Sequence, residues 1–215
     1  MVERPPEEAR TDMKTIAIVF ASFVTSASGF AQGLLHFDNS SSTLISANGS
    51  PMPVSGEQKF FFALFLAPAN TVDTPGLTPA LTDPNFQIVE AYNTNHAVGP
   101  GRLVRYPNVV VSYPPGSTVD FVVRGWSANA GTTWSEALAN WNNGSPSQPM
   151  FIGSSVAGNN LPPGGGLSAY PTIFGISDPW QIPGFNMTFI PEPSALALAV
   201  VGGAALWASV RRRKR

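Results

Sequence analysis

The 215-residue chain has room for one domain, and 12% charged residues with 20 glycines and 21 prolines suit a turn-rich β protein rather than a helical bundle. Aromatic content of 11% excludes a disordered chain, and the lack of cysteine excludes disulfides, a thiol nucleophile and a cysteine-ligated metal. Residues 32–190 hold four basic side chains (Lys59, Arg102, Arg105 and Arg124) against eight acidic ones, a balance of −4 that excludes a nucleic-acid footprint.

In chain order, residues 1–12 (MVERPPEEARTD) carry four acids and two arginines. Such a segment sits badly ahead of an export signal, where positive charge is favoured, so it reads as an over-extended start before Met13. Residues 13–31 (MKTIAIVFASFVTSASGFA) place Lys14 in a positive n-region, a mostly apolar h-region at 16–24, and Gly29 and Ala31 at the −3 and −1 positions of a cleavage before Gln32. That is the layout of a secretory signal peptide, too short for a stable membrane span. Residues 32–190 are then the exported domain.

Within that domain the local signals are mostly strand and turn. Residues 59–67 (KFFFALFLA) form a continuous apolar run of strand length. Residues 86–92 (FQIVEAY) and 103–111 follow, separated by Gly/Pro/Asn-rich breaks. Residues 117–127 (STVDFVVRGWS) set Val119, Phe121 and Val123 against Asp120, Val122 and Arg124, which predicts a half-buried strand with a partly polar outer face. Trp126 falls one step out of that alternation. One helix is specified: Thr133 and Glu136 make a capping box, and Trp134, Ala137, Leu138 and Trp141 follow as a single apolar stripe, ending at Asn142-Asn143-Gly144. Residues 158–166 (GNNLPPGGG) read as a loop by composition, and 172–176 and 184–190 as later strands. The fold class expected is all-β, a single β-sandwich or jelly-roll-like domain with one short helix.

The C-terminus reads Pro191-Glu192-Pro193, an uncharged apolar stretch, then Arg211, Arg212, Arg213, Lys214 and Arg215, which are five of the twelve basic residues in a chain of net charge −1. The stretch ALALAVVGGAALWASV spans about 24 Å as a helix, slightly short of a ~30 Å hydrocarbon core. Adding Pro193 and Ser194 and letting the arginines snorkel closes most of that gap, so 194–210 is a predicted transmembrane helix and 211–215 its stop-transfer tail, left in the cytoplasm. The motif, span, basic tail and terminal position together resemble the PEP-CTERM sorting signal. The resemblance covers about 25 residues and implies export, retention by the helix, and cleavage near Pro191-Glu192-Pro193 by an exosortase-type transpeptidase, with delivery to the cell surface or extracellular polymer matrix. A plain tail anchor shares this topology without the processing. More diffusely, residues 32–39 (QGLLHFDN), 60–66 and 122–127 (VVRGWS) are similar to a group of exported PEP-CTERM proteins, from which no activity transfers.

Candidate chemistry is sparse. His36 and His96 stand sixty residues apart with no metal-ligand spacing, and no nucleophile elbow, phosphate loop, dinucleotide fingerprint or calcium loop occurs. Gly164-Gly165-Gly166 lacks a following lysine and reads as a linker. Asp120, Glu136 and Asp178 lie near aromatics and form the only carboxylate set for glycan hydrolysis. Trp126, Trp134, Trp141 and Trp180 are candidate sugar-stacking rings; the helical stripe makes Trp134 and Trp141 core residues, and the Asp178-Pro179-Trp180 loop leaves Trp180 partly exposed. The expected function is an exported surface or matrix protein, structural or adhesive, with neither cofactor nor catalytic residues. Its partners would be the export machinery, an exosortase-type enzyme, the membrane and extracellular polysaccharide. A carbohydrate-binding module is the alternative, and a secreted glycan hydrolase stands third.

Overall fold

The computed structural model describes residues 32–74, 76–104, 108–143, 150–165 and 169–190. Ala31, the Pro191-Glu192-Pro193 motif, the span at 194–210 and the tail Arg211, Arg212, Arg213, Lys214 and Arg215 lie outside them. Among the described residues no helix is long and apolar enough to cross a membrane.

The described chain is mostly strands: β1 (Gly33–Leu35), β2 (Ser46–Ala47), β3 (Ser50–Pro51), β4 (Phe60–Pro68), β5 (Gln87–Thr94), β6 (Val109–Val111), β7 (Val119–Ser127), β8 (Met150–Ser154), β9 (Gly158–Leu161) and β10 (Asn186–Ile190), with a single α-helix, α1 (Trp134–Asn143). Eight strands form one sheet in the order β3-β2-β10-β8-β7-β4-β5, with β9 also on β7, while β1 and β6 make a separate pair. Pairing is antiparallel except between β10 and β2.

The centre of the large sheet is β4 against β7, paired along all nine residues from Phe60↔Ser127 to Pro68↔Val119. Successive side chains in a strand point to opposite faces, and here both faces are apolar. Phe60, Phe62, Leu64 and Leu66 of β4, with Val119, Phe121 and Val123 of β7, enter a core closed by Leu35 of β1, Phe37 beyond it, Val109 and Val111 of β6, and Ile173, Ile182 and Met187. Ala63, Phe65 and Ala67, with Val122 and Trp126, enter a second core roofed by Trp134 and Ala137 of α1 and by Phe86. The two sheets thus face each other in a sandwich-like manner across the first core.

This arrangement corrects the reading of 117–127 as half-buried. Every residue of β7 is buried, because α1 and the connection from β4 to β5 cover the face that carries Asp120 and Arg124. Trp126 is out of step with Val119 and Phe121 because it belongs to that second face.

Other boundaries also differ. Among the described residues of 103–111, Val109–Val111 form a strand and Leu103 makes an isolated bridge to Asn95. In 172–176, Thr172 and Phe174 make isolated bridges to His36 and Ile182 rather than a strand. The predicted loop at 158–166 begins instead with β9, which the Asp120 carboxylate fastens to β7 by accepting the Asn160 N–H at 3.0 Å. Gly164, expected to be linker, is buried and bridges to Leu34.

Both ends of the large sheet are poor templates for further pairing. β3 is two residues long and includes Pro51, which has no N–H to donate. β5 carries a bulge, since Ala63↔Tyr92 and Phe65↔Ile88 leave extra β5 residues between them. Short, proline-bearing or bulged edges discourage sheet-to-sheet addition.

The start of α1 is the predicted capping box. The Glu136 carboxylate accepts the backbone N–H groups of Thr132 (2.8 Å) and Thr133 (3.2 Å), and Thr133 Oγ1 accepts the Glu136 N–H at 3.3 Å. The bonds from Thr132 and then Thr133 hold the Glu136 carboxyl below its usual range. A carboxylate pKa lowered by folding contributes stability above its unfolded pKa and loses it as pH falls through the folded value. Thermal melts are therefore expected to place Glu136→Gln below wild type at neutral pH, with the gap closing once acid protonates Glu136. A gap that persists at low pH would show that the charge is not what the cap uses.

Candidate functional site

The titratable groups singled out in the sequence do structural work. Asp120 is fully buried; one carboxylate oxygen accepts the Val72 N–H and the other the Asn160 N–H, both at 3.0 Å. It thereby ties the β4–β5 connection and β9 to β7. Arg124 lies on the same face of β7, its guanidinium over the rings of Phe65 (4.3 Å) and Trp134 (5.3 Å), with Nη2 donating to the Ala80 carbonyl at 2.9 Å. Its Nε is buried without a hydrogen-bond partner. Burial pulls the Arg124 pKa down to about 10, and the Asp83 charge raises it part of the way back. Four residue steps along the strand set the Cα atoms of Asp120 and Arg124 roughly 13 Å apart, too far for an ion pair. Glu136 caps α1, and Asp178 sits in an exposed turn where its N–H donates to Gln181 Oε1 at 3.1 Å.

His36 meets Tyr170 edge-on at 5.8 Å, and His96 Nδ1 accepts the Val98 N–H at 3.1 Å. Among the described residues no group of three or more His, Asp or Glu is placed to hold a metal.

The tryptophans divide as follows. Trp134 is buried as expected, packing edge-on against Phe65 (5.4 Å) and Trp126 (5.6 Å). Trp141 is only half-buried on the rim of the second core, because it lies at the C-terminal end of α1. Trp126 is fully buried and donates its indole N–H to the Gly131 carbonyl at 3.0 Å. Trp180 is partly exposed, but its ring packs against the first core and its indole N–H is buried without a partner.

Three buried asparagines were invisible to sequence reasoning. Asn39 donates to the Thr43 and Gly101 carbonyls and accepts the Leu103 N–H at 2.7 Å. Asn93 donates to Phe37 and Val104 carbonyls, and Asn95 donates to Pro53 and Gln58 while accepting the Phe60 N–H. Each satisfies loop backbone that has no strand partner, as buried polar groups must be satisfied. The available signal was the polar Asn93 and Asn95 at the end of a run that otherwise reads as strand.

A cleft of about 470 Å³ opens between β5 and β6, lined by Leu66, Ile88 and Val89 on one side and Val110, Ser112 and Tyr113 on the other. It offers apolar surface, the Gln87 amide and the hydroxyls of Ser112 and Tyr113.

The sequence-predicted processing sites flank the described chain. Gln32, exposed, is its first residue, and Ile190 ends both β10 and the last described segment. Ile190 pairs with Met150, and the Lys59 carbonyl accepts the Ala128 N–H just beyond β7, so Ile190 and Lys59 share the Ser127 end of the sheet. Gly33 instead donates to Tyr113 O, and its neighbour Leu34 bridges to Gly164, close in sequence to the Leu161↔Val119 pair at the opposite end of β7. The two exits lie toward opposite ends of a nine-residue strand, a span of roughly 30 Å.

No protein-family model, curated protein or solved structure matches the chain.

Proposed function

We propose that the chain is an exported surface protein carrying a PEP-CTERM-type sorting signal, with a structural or adhesive role in the extracellular matrix. The observation that carries this reading is the coincidence, in one C-terminal segment, of Pro191-Glu192-Pro193, the uncharged stretch at 194–210 and the block Arg211, Arg212, Arg213, Lys214 and Arg215. Two features of the domain support a passive role. The buried charges Asp120 and Arg124 are spent on holding loops to β7. The proline-bearing and bulged sheet edges favour assembly through side-chain surfaces over strand addition.

Sorting is tested by following the domain in an exosortase-bearing host, by membrane fractionation and intact mass. Wild type is expected to lose the residues from about Pro191 onward. Pro191→Ala with Pro193→Ala should remain full-length in the membrane, since the span is kept and the recognition element is lost. Replacing Arg211, Arg212, Arg213, Lys214 and Arg215 by Ser should weaken membrane retention, because carrying charge across the core no longer opposes slippage. Wild type that stays full-length in a sorting-competent host would overturn the sorting role and leave a plain anchor.

A further inference from the structure

At the Ser127 end of the sheet an aromatic ladder runs outward across three strands. Phe60 is fully buried, Phe151 half-buried and Phe189 37% exposed. Their rings follow one another at a tilt, 5.9 Å from Phe60 to Phe151 and 5.6 Å from Phe151 to Phe189. Phe189↔Phe151 is a cross-strand pair, and Phe151 donates its N–H to Ser127 Oγ, the residue opposite Phe60. Lys59, exposed, lies at the same end, its ammonium 4.8 Å from the Phe61 ring on the sheet face opposite the ladder. The outermost ring is one residue from Ile190, where the described chain ends.

The length of chain beyond Ile190 identifies what this end faces. Resting on the reading of 194–210 as a membrane span, four residue steps separate Ile190 from Ser194, a reach of at most about 14 Å. The interfacial layer of a bilayer leaflet is itself about 5–8 Å deep. A tether that short brings the Ile190 end of the domain onto the lipid headgroups, and Gln32, toward the far end, away from them.

We propose that this end is a membrane-docking face while the C-terminal segment is attached, with Phe189 and Phe151 seated at headgroup level and Lys59 beside the phosphates. Phenylalanine is among the side chains that surface-bound proteins bury at the headgroup/acyl boundary. Glu57, exposed two residues before Lys59, offsets its charge, so ring partition rather than net charge drives the contact. Docking of this kind would hold the chain beyond Ile190 against the membrane surface, where a membrane enzyme acts.

The natural absence of cysteine permits a direct test. Full chains bearing Phe189→Cys, Lys59→Cys or Thr118→Cys (an exposed residue at the Val119 end) are exported in a host lacking the sorting enzyme, labelled with an environment-sensitive fluorophore and recovered in membranes. Labels at 189 and 59 are expected to lose quenching by aqueous iodide and to be quenched by nitroxide-headgroup phospholipid, whereas the label at 118 does the reverse. The position 59 variant, on the surface, keeps the test valid if loss of the Phe189 ring perturbs folding. Labels at 189 and 59 that behave like the one at 118, in chains that resist alkaline carbonate extraction, would overturn docking and leave the anchor intact. Chains released by carbonate would overturn the anchor, and docking with it.

Discussion

Trp126→Ala is expected to cost about 3–5 kcal/mol, the range for removing a large aromatic from a packed core. Trp126 has no solvent exposure and contacts Phe61 (6.0 Å), Tyr92 (5.8 Å) and Trp134 (5.6 Å), so three elements lean on one ring. Its indole N–H also holds the Gly131 carbonyl in the turn that launches α1. A domain stable by about 5–15 kcal/mol would lose a large share of that margin. Trp126→Phe keeps most of the volume and drops the hydrogen bond, and should fall between wild type and the alanine variant. Guanidinium unfolding followed by far-UV circular dichroism measures the order. An alanine variant within about 1 kcal/mol of wild type would mean that the second core relaxes around the loss, contrary to the rigidity of close-packed interiors.

Gly125→Val is the second large effect, and its sign separates propensity from packing. Strand propensity alone favours valine over glycine in mid-strand. A Cβ at Gly125, however, would lie 2.5 Å and 2.7 Å from ring carbons of Phe62 and 3.1 Å from Met187 Sδ. Phe62 is fully buried and backed by Phe185 at 6.4 Å, so its ring has little freedom to retreat. Overpacking of this kind costs about 1–3 kcal/mol or more. The companion Phe62→Leu should partly rescue Gly125→Val, giving an interaction energy in a double-mutant cycle rather than additive losses. A stabilised Gly125→Val would show that the first core has room the structure does not contain.

Some of this was legible in the residues. The run KFFFALFLA has high β-propensity and strand length, and it became β4, the centre of the sheet. The capping box at Thr133 and Glu136 is a contact between near neighbours, and it formed where the sequence placed it. The segments 103–111 and 172–176 were less legible, because outside Val109–Val111 their described residues reach the first core through isolated bridges rather than a continuous ladder.

The sequence by itself determined what depends on short range. It set the all-β class through strand-length apolar runs broken by Gly, Pro and Asn, the start of α1 through its cap, and the terminal pattern of charge and hydropathy on which the export and sorting proposal rests. Only the tertiary structure decided what depends on partners distant in the chain. Val119, Phe121 and Val123 alternate with Asp120, Val122 and Arg124 in a way that normally marks an outer polar face. That face became interior because α1 and the β4–β5 connection fold across it and supply carbonyls, N–H groups and rings to the two charges. Residues 158–161 read as loop by composition and became β9, because Asp120, forty residues away from Asn160, accepts its N–H. Period and propensity report the backbone's local preferences, whereas burial of a face depends on what else the chain can bring to cover it.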